Sequence, residues 1–255
     1  MSALPALARR PGLPPRTAST LTLLALALLL PLAGAAGWAG RGWLAGRDAP
    51  RAFDGFQLVR LKTVQAQLDQ VRGRYVVVMG DSHAERLFLP ELCGLPVVNA
   101  GLSGATLGEV LDLARKIAPP RRAEAVLLSV GTNDIWVKRT PETTQAESGF
   151  SAGLAALAQR LTGAWADRRA LIAIPPVEDK EEAMFPRSAA GRYSAMLARS
   201  CEPERCIYLD LFAGAEKAPG RRSAFSDGVH LRDYARFVRD REDALCKGLG
   251  LTPPG

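Results

Sequence analysis

Five short apolar runs, each followed by a polar cluster and then by residues at helical spacing, organise the chain from residue 75 onward. They read YVVVM at 75–79, PVVN at 96–99, AVLLSV at 125–130, ALIAI at 170–174 and CIYLDL at 206–211. Each is β-branched-rich and bounded by turn residues, as a strand is. Runs without a polar alternate fit strands buried on both faces. Residues 107–118 and 149–165 space their apolar residues as helices do, and 233–249 reads as a closing helix. The alternation predicts an α/β fold: a five-stranded parallel sheet with helices on both faces, in three layers. Ligands of such sheets bind beyond the carboxyl ends of the strands. Chemistry is therefore expected just after each run.

Polar clusters stand at those places. Gly80-Asp81-Ser82-His83 follows the first run, and Asn99-Ala100-Gly101-Leu102-Ser103-Gly104 the second. Gly131-Thr132-Asn133-Asp134 follows the third, and Asp227-Gly228-Val229-His230 precedes the closing helix. A serine hydroxyl becomes a competent nucleophile when a base takes its proton. His230 suits that role for Ser82, because His83, the only other histidine, is the sequence neighbour of Ser82 and poorly placed to face it. Asp227, three residues before His230, is spaced to hold the far ring nitrogen. Donors for an oxyanion are available from the Ser82 amide at a strand-to-helix turn, from the Gly104 amide, unobstructed by a side chain, and from the Asn133 side chain.

These four blocks resemble those of the SGNH (GDSL-like) hydrolase superfamily, over about residues 73–248. The resemblance implies a flavodoxin-like three-layer α/β/α fold, with Ser82 as nucleophile, His230 as base and Asp227 as its orienter. Ser82, Gly104 and Asn133 would form the oxyanion hole. It implies no metal and no organic cofactor, and cleavage of carboxylic esters or thioesters of lipids and carbohydrates, or acyl transfer. His83 departs from the leucine often found there. A histidine also occurs in branches linked to cell-surface acyl groups, so a substrate contact at His83 stays open beside a supporting role. Trp136 is equally balanced between lining the pocket and packing. Asp81 is expected to cap a turn, Asp134 to brace the site, and the acidic stretch 178–182 to form a solvated loop or lid edge.

Ahead of this body, residues 18–39 carry no charge and reach about 33 Å as a helix, enough to span a hydrocarbon core. Arginines precede the run, which predicts a cytoplasmic tail at 1–17 and an exported body. The length favours an uncleaved signal anchor; the alternative is a signal peptide cut near residues 33–36, which would release a secreted body. Residues 40–72 then form a linker and lead-in helix, and 73–250 the hydrolase domain. The net charge of +7 falls mostly on residues 1–51, where six arginines meet one aspartate. The nearly balanced body argues against a nucleic-acid partner.

An exported body permits disulfides among Cys93, Cys201, Cys206 and Cys246. Cys201 and Cys206 flank a short loop, leaving Cys93 and Cys246 as the other pair; buried thiols are the alternative. With two histidines the chain is poor in ligands for a metal-dependent phosphoesterase. The expected function is an exported, membrane-tethered esterase acting on short acyl or acetyl esters of a small molecule, lipid or envelope glycan. An O-acyltransferase using the same residues, or a silent binding module on the same fold, are the alternatives.

Overall fold

The computed structural model describes residues 54–215 and 223–251. The proposed tail at 1–17, the apolar run at 18–39 and the linker to residue 53 lie outside the described residues. Among the described residues no helix is long and apolar enough to cross a membrane.

Helix α1 (Gly55–Gln70) opens the described chain, started by a capping box in which Asp54 and Gln57 satisfy each other's free amides. Strand β1 (Val76–Gly80) leads directly into a single-turn helix, α2 (Ser82–Glu85). Strands β2 (Glu91–Leu92) and β3 (Leu95–Gly101) follow, then α3 (Leu107–Lys116), β4 (Ala125–Ser129) and the long helix α4 (Thr144–Ala164). Strand β5 (Arg168–Ile172), α5 (Arg187–Arg199), β6 (Cys206–Leu209), α6 (Tyr234–Arg239) and α7 (Glu242–Gly248) complete it.

The sheet order is β2-β3-β1-β4-β5-β6, and every pairing except β2 with β3 is parallel. Renumbered among themselves, the five parallel strands run 2-1-3-4-5, the flavodoxin-like order. Both faces are covered, as the unbroken apolar runs require. Val77, Met79, Val126 and Leu128 face one core with α1, α3, α4 and α5. Val76, Val78, Ala125 and Leu127 face the other, with Ala84 of α2 and residues of α6 and α7.

Two expectations need correction. The sheet has six strands rather than five, because a two-residue antiparallel strand, β2, closes a hairpin onto β3. Its loop, Cys93-Gly94, takes positive φ at both residues (53° and 69°), the backbone of a two-residue hairpin turn. The closing helix is two helices, broken at Asp240-Arg241. Both cysteine pairs are disulfides: Cys93 with Cys246, and Cys201 with Cys206. The first ties the β2–β3 hairpin to α7 across 153 residues of chain.

The order of β3, β1 and β4 positions the polar clusters. Gly80 at the end of β1 lies in register with Gly101 of β3 and Ser129 of β4. The three loops that leave those positions therefore start at one level on one edge. Close approach is possible because two of the residues lack a side chain. A Cβ on Gly80 would lie 1.8 Å from the Ser129 carbonyl oxygen, and one on Gly101 would lie 2.1 Å from the Glu85 amide nitrogen.

Candidate active site

Ser82 is the first residue of α2, and Asp81 is its N-cap. The Asp81 carboxylate accepts the His83 amide at 2.9 Å and the Thr132 amide at 3.3 Å, which ties the nucleophile turn to the loop after β4. Asp81 is fully buried, and burial pushes its carboxyl up to about 7. It is the capping residue expected from its position.

The Ser82 Oγ lies 2.8 Å from His230 Nε2, and His230 Nδ1 lies 2.8 Å from Asp227 Oδ2. A proton on Nδ1 satisfies the carboxylate and leaves Nε2 to accept from the serine hydroxyl. The other Asp227 oxygen accepts the Val229 and His230 amides at 3.1 and 2.8 Å, so one carboxylate shapes the turn and orients the ring. Partial burial would raise the Asp227 pKa. The bonds from the His230 amide and ring and the Val229 amide overcome it and hold the carboxyl well below the usual range. The Arg86 guanidinium, from the residue after α2, stands 3.5 Å from the same oxygen as the ring. The turn is anchored from outside as well: Ser226 N–H donates to the His230 carbonyl, and Glu178 N–H to the Gly228 carbonyl, both within 2.8 Å.

The loop after β3 carries Gly104 at φ +77° with open space where a Cβ would stand. Asn133 Nδ2 donates to the Ala105 carbonyl at 3.0 Å, which joins the loops that bear Gly104 and Asn133. Asp134 braces the arrangement by accepting the Leu107 amide at 2.9 Å, and burial raises its carboxyl to about 6. Gly101, the last residue of β3, is the close-approach residue against α2.

His83 is buried behind His230, its ring centroid 5.3 Å from that of His230. Its Nδ1 meets the Tyr234 hydroxyl at 2.9 Å, and that hydroxyl accepts the Leu231 amide. Burial lowers the His83 pKa to about 3, so the ring is neutral at ordinary pH. With Tyr234 donating, the ring proton sits on Nε2, which has no hydrogen-bond partner among the described residues. Trp136 is half-buried, with Lys138 Nζ 4.8 Å above its ring. The acidic stretch is a 3₁₀ turn at Asp179–Glu181, whose Lys180 and Glu181 side chains crowd Gly228.

The geometry thus brings Ser82, His230 and Asp227 into one hydrogen-bonded line, and links Gly104 to Asn133 through Ala105. It connects neither His83 nor Trp136 directly to the serine oxygen. Three participants had no clear sequence signal: Arg86, Tyr234 and Arg60. Arg60 on α1 donates to the Gly101 and Asn99 carbonyls from 41 and 39 residues away. Tyr234 alone was accessible to inspection, as the aromatic that opens the helix after His230. Among the described residues no cluster of side chains is arranged to hold a metal ion.

A model of the GDSL-like lipase/acylhydrolase family matches residues 63–234. No curated protein sequence matches the chain. Several solved structures share its fold. A protein from Streptococcus pneumonia provisionally described as a platelet activating factor superposes with a TM-score of 0.60 at 19% identity, covering 83% of this chain and 99% of its own. A carbohydrate acetylesterase family member from Sinorhizobium meliloti gives 0.53 at 19%, covering 70% and 100%. A catalytic mutant of an acetylxylan esterase from Geobacillus stearothermophilus gives 0.52 at 16%, covering 70% and 95%.

Proposed function

The chain belongs to the GDSL-like lipase/acylhydrolase family and is an ester-hydrolysing serine hydrolase; from that premise we propose that Ser82, His230 and Asp227 are its catalytic triad. The observation that carries the reading is the pair of 2.8 Å contacts on the two ring nitrogens of His230. In the first step Ser82 Oγ attacks the ester carbonyl carbon while His230 Nε2 takes the hydroxyl proton. The imidazolium so formed is stabilised by the Asp227 carboxylate. The negative oxygen of the tetrahedral intermediate is met by the Ser82 amide, the Gly104 amide and one Asn133 Nδ2–H. On collapse the carbonyl re-forms, the alcohol leaves with the proton from His230, and an acyl-Ser82 remains. Water then gives a proton to His230 Nε2 as its oxygen attacks the acyl carbon; collapse of the second tetrahedral intermediate breaks the bond to Ser82 Oγ, which takes that proton back as the acid leaves.

We further infer that the acyl group is short, acetyl being the leading case, and that the alcohol is a sugar or lipid of the cell envelope. A sequence with no long apolar insertion in the body to cover a fatty chain supports this. The acetylesterases that share the fold act on such groups and suggest acetylated glycans as first substrates to try. Two disulfides and an apolar run at 18–39 behind arginines support a membrane-anchored protein whose catalytic domain lies outside the cytoplasm.

A fluorophosphonate probe tests the triad. Wild type is expected to be labelled on Ser82 and to hydrolyse p-nitrophenyl acetate. Ser82→Ala should lose labelling and at least about 10³-fold in kcat, the scale of losing a triad member. A folded wild-type protein that neither reacts with the probe nor cleaves the ester would refute the assignment.

A further inference from the structure

Helix α1 begins at the edge of the sheet that carries the proposed site. Gln57, in its first turns, donates to Glu109 at the start of α3, and Arg60 donates to the Gly101 carbonyl at the end of β3. The 16-residue helix is about 24 Å long, so its other end lies far from that edge. Among the described residues, the same edge gathers most of the large apolar side chains left in solvent. Phe56, Leu58 and Val59 of α1 are 49%, 46% and 62% exposed. Val137, four residues beyond Asn133, and Met184, in the loop after β5, are 46% and 45% exposed. Those two are neighbours, since the Val137 amide donates to the Met184 carbonyl at 2.9 Å. Trp136 adjoins them. Phe88, 83% exposed, lies two residues from Arg86, whose guanidinium meets Asp227.

We propose that this apolar rim rests on the surface of a lipid bilayer, so that the ester the enzyme cleaves is carried by a molecule seated in the membrane. The inference rests on the esterase reading and on residues 18–39 as an anchor. Fourteen residues, 40–53, separate that run from Asp54, a reach of at most about 50 Å. The chain that follows the run enters the described domain at the edge where α1 begins. Three arginines and one aspartate in the linker add an attraction to anionic headgroups. A protein docked on the same rim would cover Ser82, whereas a fluid bilayer presents substrate to it. Scattered single apolar residues are normal on a surface. Five of them on elements that meet at one edge, beside the chain's entry point, are what a membrane-facing surface needs.

The full-length chain in vesicles of phosphatidylcholine and phosphatidylglycerol provides the test. Two esters are compared: soluble p-nitrophenyl acetate and an acetylated glycolipid in the same vesicles. The variants Phe56→Ser/Val59→Ser and Val137→Ser/Met184→Ser are expected to lose about tenfold on the vesicle ester and to stay within about twofold on the soluble one. In a chain with Trp38→Phe and Trp43→Phe, brominated lipid should quench Trp136, since the one other indole, Trp165, is fully buried. Variants that lose nothing on the vesicle ester, or an unquenched Trp136, would overturn the proposal while leaving the esterase reading intact. Wild type inactive on both esters would instead remove the esterase reading, and this inference with it.

Discussion

Gly101→Ala is the substitution whose effect follows most directly from the coordinates. Gly101 closes β3 with a backbone that alanine adopts freely, so no strain arises from the main chain. The new Cβ, however, would lie 2.1 Å from the Glu85 amide nitrogen, 2.4 Å from its Cα and 2.6 Å from the Ala84 carbonyl carbon. All are backbone atoms of α2, the helix that begins with Ser82, and no flexible side chain is available to give way. Restoring even a tight 3.0 Å contact moves α2 or the end of β3 by about 1 Å. A misplacement of that size at a catalytic group costs about 10²-fold in rate, or about 3 kcal/mol of barrier. Overpacking adds about 1–3 kcal/mol of lost stability. The assay is kcat for p-nitrophenyl acetate, measured well below the melting temperature, beside a melting curve. Gly163→Ala is the control: Gly163 lies in α4 with nothing within 4 Å of an added Cβ, so kcat should be unchanged and stability unchanged or slightly higher. A Gly101→Ala protein with wild-type kcat would show that the spacing of β3 and α2 does not govern the nucleophile.

Three further outcomes are expected. Tyr234→Phe removes the partner of both the Leu231 amide and His83 Nδ1, and should cost about 2 kcal/mol of stability; if these groups hold His230 in place, kcat also falls, by about tenfold with KM unchanged, whereas a purely structural loss leaves kcat alone. Asp81 titrates near 7 when folded and near 3.9 in an unfolded chain, so its contribution is complete below about pH 4 and lost as pH rises through 7; the melting temperature of Asp81→Asn relative to wild type should climb between pH 5 and 8, by an amount worth up to about 3 kcal/mol, and a flat difference would contradict the burial argument. Replacing Cys93 and Cys246 by serine opens a 153-residue span and should cost about 5 kcal/mol, against about 2 kcal/mol for the five-residue span of Cys201 and Cys206, as chemical denaturation of the two double variants would measure.

What the sequence carried was periodic or repeated. Five buried strands announce themselves because both faces need apolar residues, and the polar clusters follow from the rule that parallel sheets bind at their carboxyl ends. The Ser82 placement was legible for that reason; Asp227 and His230 were legible from their three-residue spacing and the resemblance of their block. Strand β2 was not, since two residues make no pattern and the hairpin turn is hidden in a cysteine-glycine pair. Helix α5 is weakly marked: Ala189, Tyr193, Met196 and Leu197 supply its buried side, but Gly191 interrupts the run and the rest is polar. Arg86 joins the site through tertiary packing, which no local pattern encodes.

Arg60 shows why the remainder could not be read, and what it does for the site. From sequence, α1 is a lead-in segment ahead of the hydrolase domain. In the fold it lies along the upper part of β3, beyond the reach of the short β2. There Gln67 accepts the Asn99 amide, and Arg60 donates to the Asn99 and Gly101 carbonyls, so side chains do the work of a neighbouring strand. The Asn99 side chain extends the same network, donating to the Ala84, Glu85 and Leu87 carbonyls and accepting the Gly101 amide. Glu85, 3.5 Å from Arg60, accepts the Ser103 amide at 2.5 Å. The turn that presents Ser82 and the loop that presents Gly104 are therefore clamped to each other by residues that touch no substrate. An oxyanion hole works only if its donors are fixed before charge develops. In the hole proposed above, that rigidity would come from an arginine on the lead-in helix, ahead of the domain that the sequence assigned to catalysis.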